Sequence, residues 1–151
     1  MSDVTFRTAA EADLPAIIEL LADDEIGENR EKTGEVAPEY RAAFAAMSKE
    51  HYNKILLAEQ NGAIVGALQL VFVPGLSRKG TTRAIIESVR VSSNLRGQNI
   101  GTALMKEAIR LARVGGCKLV QLTSDKRRER AHLFYRRLGF EQSHAGFKKE
   151  L

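Results

Sequence analysis

The residues best suited to chemistry run from Val89 to Gly101. Val89-Arg90-Val91 closes a strand, and Arg96-Gly97-Gln98-Asn99-Ile100-Gly101 turns sharply into a helix. Amides of such a loop and of the first helical turn point at one spot. First-turn N–H groups have no helical acceptor, and the positive end of the helix dipole faces the same way, so the spot favours an anion such as phosphate. Gly97 and Gly101 let a ligand approach the backbone closely. Neither nucleotide fingerprint fits: no Gly-Lys-Ser/Thr follows the second glycine, and the spacing is not Gly-x-Gly-x-x-Gly. On these residues alone, an anion site and a plain strand-to-helix turn fit equally well.

Periodicity predicts the elements that hold this stretch. Val4-Thr5-Phe6-Arg7 alternates as a short strand. Asp13 reads as the N-cap of a helix with Leu14, Ile17, Ile18 and Leu21 on one face, and Pro15 is tolerated in its first turn. Asp23 to Pro38 is polar, acidic and aperiodic, a loop or broken helix. A second helix is predicted from Pro38 to about Lys49, with Tyr40, Ala43, Phe44 and Met47 inward. Asn61-Gly62 separates the strands Ile55 to Gln60 and Ala63 to Val73, a strong hairpin signal. A loop with Arg78 and Lys79 leads to the strand Arg83 to Val91. The helix beyond Gly101 runs to about Val114 on a stripe of Ile100, Leu104, Ala108, Leu111 and Ala112, and Gly115-Gly116 stops it. A strand at Lys118 to Thr123, a helix at Glu129 to Leu138 and a terminal strand pair from Phe140 complete the order. The expected fold is α/β (α+β): a mixed, mostly antiparallel sheet of about six to seven strands flanked by about four helices, in one domain, 1–151.

The totals exclude several classes. The chain has 151 residues, 28% of them charged, with net charge +4 and a pI near 9.4. That size buries a core without staples. One cysteine, Cys117, forms no internal disulfide and fits a reducing cytoplasm. No signal peptide or membrane-length apolar run is visible. His51, His132 and His144 share no metal-ligand spacing with one another or with Cys117, so no metal ligand is assigned.

Arg96 to Gly101 resembles the acetyl-coenzyme-A loop of the GCN5-related N-acetyltransferases (GNAT). Ile85-Ile86-Glu87-Ser88-Val89-Arg90-Val91 is similar to that family's fourth strand. Ala131-His132-Leu133-Phe134-Tyr135-Arg136-Arg137-Leu138-Gly139-Phe140 is similar to its late Ala-x-x-Phe-Tyr-x-x-x-Gly-Phe signature. The predicted element order matches that fold from about Val4 to Leu151. One departure is Asn99, where the family usually has its first loop glycine; asparagine enters left-handed geometry more readily than most residues. The last third, Gln121 to Ser124 through Glu141 to His144, resembles the aminoalkylphosphonate N-acetyltransferases most closely. Asp23 to Pro38, which should meet the acceptor, does not match them.

The resemblance implies acetyl-CoA as cosubstrate and a small-molecule primary amine as acceptor, with no nucleic-acid or membrane partner and a homodimer as the assembly. Val89 and Val91 would line the pantetheine arm through their backbone, with an N–H of that strand stabilising the developing oxyanion. Arg96, Gly97, Gln98, Asn99, Ile100, Gly101 and Thr102 would hold the pyrophosphate, and Ser124, Arg130 and Tyr135 would complete the coenzyme site. An alkyl ammonium has a pKa of about 10.4, so on the order of one in a thousand is neutral at pH 7 and a base must help. Glu87 is the candidate base. By alternation it shares a face with Ile85, Val89 and Val91, unless a bulge breaks parity; otherwise it pairs with Arg83 or Arg90. Tyr135 is the candidate acid for the leaving thiolate, or else part of an apolar stripe with Ala131, Phe134 and Leu138. Lys126, Arg127, Arg128 and Arg130 form a solvated basic face or contact the nucleotide phosphates. Asp23-Asp24-Glu25 with Glu28 forms a solvated loop, or binds a cation. A divalent metal is compatible with the closer resemblance, though no ligands are assigned. The competing readings are a protein or peptide N-acetyltransferase, a non-catalytic CoA-binding module and a nucleic-acid-binding module.

Overall fold

Five strands carry the fold in the computed structural model, which describes residues 3–151. They are β1 (Thr5–Thr8), β2 (Asn53–Gln60), β3 (Ala63–Pro74), β4 (Thr82–Val91) and β5 (Leu119–Leu122), in the spatial order of the chain. β1 to β4 pair antiparallel, neighbour to neighbour. The helices are α1 (Leu14–Ala22), α2 (Pro38–Met47), α3 (Ser77–Gly80), α4 (Ile100–Val114) and α5 (Glu129–Arg137). Two compact units result, Met1–Gln121 and Leu122–Leu151. Among the described residues no helix is long and apolar enough to cross a membrane.

In the first unit the sheet is covered on both faces, which is why Leu56, Leu57 and Ala58 are buried in succession. Leu56 lies opposite Leu68, Leu70 opposite Ile86 and Phe72 opposite Ala84, and all six are buried. α4 packs on this face: a side chain added at Gly66 would touch Leu104 and Ala58, and one added at Gly115 would strike the Phe72 ring. α4 buries Ile100, Leu104, Met105, Ala108 and Ala112, close to the stripe its periodicity predicts. On the other face α1 packs Ile17 and Leu20 against Leu57 and Ala67. Leu57 has no exposed surface. The hairpin forms as Asn61-Gly62 predicts, with φ of 53° and 76° at the two turn residues.

Several local expectations change. α2 buries nothing: Ala43 is exposed, and Tyr40, Phe44 and Met47 are half-buried. In α1 Leu20, rather than Leu21, completes the buried set. α3 is a single left-handed turn, with φ of 54° at Arg78, 60° at Lys79 and 75° at Gly80. In the second unit Gly139, at φ 92°, ends α5, but no strand follows it. Among the described residues the sheet therefore has five strands, not six or seven. After Phe140 the run Glu141-Gln142-Ser143-His144 offers no alternating apolar side chains, and Phe147 is 94% exposed, so nothing drives a strand pair there.

Asp13 does not cap α1 with its side chain. Its carboxylate accepts the Ala10 N–H at 2.7 Å and two Arg7 bonds at 2.8 Å, while Arg7 also donates to Glu59 at 2.7 Å. The Arg7 hydrogen bonds are the main reason the Asp13 pKa is held down to about 2. A depressed carboxylate stabilises the fold above its unfolded pKa, and that stability is lost as pH falls through the folded value. Asp13→Asn should therefore be less stable than the parent above about pH 4. The two urea midpoints should converge between pH 4 and pH 2. Parallel acid limbs would mean that the ion pair contributes nothing.

Candidate active site

β4 carries a bulge at its functional end. Glu87 lies opposite Gln69, Arg90 opposite Ala67 and Val91 opposite Gly66, so Ser88 and Val89 together face Leu68. Ser88 takes φ 53°, a left-handed value rare for serine. The bulge resets the pleat. Glu87 stays on the face of Gln69, and Arg90 rejoins that face because Ala67 is two residues from Gln69. Val91, and by alternation Val89, turn to the Gly66 face under α4. The expected shared face of Glu87, Val89 and Val91 is thus overturned; Ile85, opposite Val71, is the neighbour that remains. Glu87 is exposed and makes no ion pair among the described residues. Arg90 instead donates to the Val89 carbonyl at 3.0 Å and sits 4.0 Å from the Asp24 carboxylate.

The chain leaves β4 through Ser92, whose N–H donates to the Val65 carbonyl at 2.9 Å. A short 3-10 turn, Ser93–Leu95, follows. Gly97 has φ 85° and Asn99 φ 64°, ψ 13°, so asparagine enters the left-handed region as its chemistry predicts. The Asn99 carbonyl accepts the Ala103 N–H at 3.1 Å and starts α4, with Ile100 buried beneath. Arg96, Gly97, Gln98 and Asn99 are exposed. The amides of Ile100, Gly101 and Thr102 belong to the first helical turn, where no helical carbonyl reaches them. This combination can bind an anion.

Asp23 braces the loop, and Asp24 holds the turn that follows it in the chain. The Asp23 carboxylate accepts the Ser93 N–H at 2.8 Å, and the Asp23 carbonyl accepts an Arg96 guanidinium N–H at 2.7 Å. The Asp24 carboxylate accepts the Gly27 N–H at 2.5 Å. That turn requires glycine, since a side chain at Gly27 would collide with the Leu21 carbonyl. The acidic run read in the sequence as solvated or cation-binding thus works partly as a brace. Nothing local reveals this, because the partners of Asp23 lie 70 and 73 residues away.

The second unit holds Ser124, Arg130 and Tyr135. Asp125 organises the turn before α5: its carbonyl accepts the Arg128 N–H and contacts the His132 ring, both at 2.9 Å. Its carboxylate takes bonds from the Arg127 guanidinium at 2.9 and 2.7 Å and from the Arg127 N–H at 2.9 Å. Those bonds hold the Asp125 carboxyl far below the usual range. Arg127 is thereby committed, while Lys126 and Arg130 are exposed. Tyr135 is half-buried, its ring 5.2 Å from Phe134 and 6.1 Å, edge-on, from Phe140.

Residues 14–140, spanning both units, match the acetyltransferase (GNAT) family. The chain belongs to that family. It is 37% identical over 112 residues to the aminoalkylphosphonate N-acetyltransferase of Salmonella typhimurium, covering 74% of this chain and 72% of that protein. A solved structure from Bacillus halodurans, described as a transcriptional regulator, is 43% identical with a TM-score of 0.95, covering 99% of this chain and 100% of the other. An acetyltransferase from Trypanosoma brucei is 26% identical with a TM-score of 0.79, covering 99% and 100%. As a GNAT member the chain is an acyltransferase with an α/β fold.

The left-handed residue at the start of α4 gives a direct test. Asn99→Gly should keep the loop, while Asn99→Val should cost about 1–2 kcal/mol, the strain of an L side chain at positive φ. Denaturant unfolding of both variants measures this, and equal stability of the two would remove the strain argument.

Proposed function

We propose that this GNAT chain moves the acetyl group of acetyl-CoA to a primary amine of a small molecule. The observation that carries the reading is the exposed turn through left-handed Gly97 and Asn99 into α4, whose first-turn amides have no helical acceptor and so can serve an anion. Gly97, Gln98, Asn99, Ile100, Gly101 and Thr102 would hold the pyrophosphate, with Ser124, Arg130 and Tyr135 as further contacts. The bulge supports a role for the β4 backbone, since Ser88 and Val89 lack one-to-one partners on β3. Val89 and Val91 would then meet the pantetheine arm through their peptide groups, as an added strand would. Acetyl-CoA supplies the activated thioester. Glu87, exposed and without an ion partner among the described residues, takes the ammonium proton directly or through water. Tyr135, a phenol protonated at pH 7, returns a proton to the sulfur.

The acceptor we favour is aminoalkylphosphonate-like, on the strength of the Salmonella relative. The relative described as a transcriptional regulator motivates a competing nucleic-acid reading. Against it, Asp125 already neutralises one of the four clustered cations, Arg127.

Thiol release from acetyl-CoA should be measured with aminoalkylphosphonates, polyamines and amino acids, with and without a divalent cation. An aminoalkylphosphonate should give the highest kcat/KM. Tyr135→Phe and Glu87→Gln should each lower kcat by about 100-fold or more, the scale of general acid–base catalysis, with CoA affinity unchanged. No calorimetric heat with millimolar acetyl-CoA would sink the proposal. Tight, salt-sensitive DNA binding that acetyl-CoA cannot displace would favour the competing reading.

A further inference from the structure

Across the face of the sheet that carries Glu87 runs a chain of amides with a fixed polarity. Ile55, Gln69 and Glu87 stand opposite one another on β2, β3 and β4. Asn53 lies on the same face of β2, diagonal to Gln69. Its Nδ2 donates to the Glu50 carboxylate at 3.0 Å, and its Oδ1 accepts from Gln69 Nε2 at 2.8 Å. The order of these bonds is not arbitrary. An ionised carboxylate only accepts, so Asn53 must turn its amino group toward Glu50 and its carbonyl toward Gln69. Gln69 must then turn its own amino group toward β2. Its Oε1 takes no part in the bond to β2, and Glu87 is the cross-strand neighbour on β4. Among the described residues no protein donor reaches this Oε1. Directly opposed side chains on one face have Cβ atoms about 4.5–5.5 Å apart. Gln69 and Glu87 thus bring an amide and a carboxylate onto one face of neighbouring strands.

We propose that Gln69 Oε1 and Glu87 together receive the acceptor amine, with Glu50 and Asn53 as positioning residues that hold the Gln69 amide in its accepting orientation. The assignment rests on the transferase reading and deepens it. A primary ammonium carries three N–H donors and suits two adjacent acceptors, one of which also takes its proton. After that transfer the amine keeps a hydrogen bond to Gln69, which leaves its lone pair to attack. The surroundings suit an alkylamine: Gln69 lines a mostly apolar cleft with Ile17, Leu20, Ile55, Ser88 and Arg90, whose guanidinium sits 4.0 Å from the Asp24 carboxylate. Selection of an amine over an isosteric alcohol follows, since a hydroxyl has only one donor to offer two acceptors.

The test uses the full chain with acetyl-CoA and aminomethylphosphonate, comparing the parent, Gln69→Met, Asn53→Ala and the double variant. Gln69→Met keeps the side-chain length and removes Oε1. It should raise the acceptor KM about tenfold and leave the acetyl-CoA KM unchanged, as expected for loss of a hydrogen bond to a charged group, while the lost bond to Asn53 lowers the thermal midpoint no more than Asn53→Ala does. Asn53→Ala should raise the acceptor KM by a smaller factor, and should add nothing once Gln69 is methionine. A parental acceptor KM in Gln69→Met, equal rises for both substrates, or independent effects in the double variant would overturn the assignment while leaving the transferase reading intact. No thiol release by the parent would instead overturn the transferase reading, and this assignment with it.

Discussion

Between Ala67 and Gln69 of β3 there is one residue, and opposite it in β4 there are two. The extra residue forces Ser88 to φ 53°, at a cost of about 1–2 kcal/mol for an L side chain. The flanking ladder outweighs that cost: Ile86 is 1% exposed beneath α4, and the pairing resumes at Arg90 and Val91. What the distortion achieves is a change of face. Without it Arg90 would lie on the α4 side and could not approach Asp24, and Val91 would turn away from Leu104. The positions of the strand end and of the loop into α4 both depend on this one irregular step.

Two-sided burial explains why the irregularity stays in place. α4 seals one face of the sheet with Leu104 and Met105, both fully buried, while α1 seals the other with Ile17 and Leu20. A register slip would move every side chain of β4 to the wrong face, at a cost of several buried aliphatic groups. The loop beyond the sheet has no such apolar anchor. Its Ser93 N–H and its Arg96 guanidinium both donate to Asp23, in the chain just after α1. Rigid packing thus fixes the strand, and polar bracing fixes the turn that follows it.

Much of this was legible in the sequence where the signal was local. The Asn61-Gly62 hairpin, the buried stripe of α4 and the left-handed Asn99 each follow from one residue type or one period. Glu87 was recognisable as a candidate, but its neighbours were not, because alternation assumes an unbroken pleat and nothing in Ser88-Val89 announces a bulge. Asp13 stands at the N-cap position as its place in the sequence suggests, but its carboxylate does not cap, because Arg7 on a strand outcompetes the helix amides with a charged fork. Asp23 was misread because its partners lie about half the chain away. The C-terminal strand pair was expected from the order of the elements along the chain, and the polar run after Phe140 supplies no apolar alternation for it.

The geometry at Asn99 also narrows how this chain can drift over generations. A residue at φ 64° that must surrender its carbonyl to Ala103 suits few letters of the alphabet: glycine by freedom from steric conflict, asparagine and aspartate by local hydrogen bonding. Aspartate would bring a negative charge to the mouth of the proposed anion site, so it is disfavoured there on electrostatic grounds. Two letters remain, interchangeable by backbone and distinct only in what their side chains offer. Lineages can alternate between them without altering the path of the loop, and a search pattern that insists on glycine would pass over every branch that made the switch.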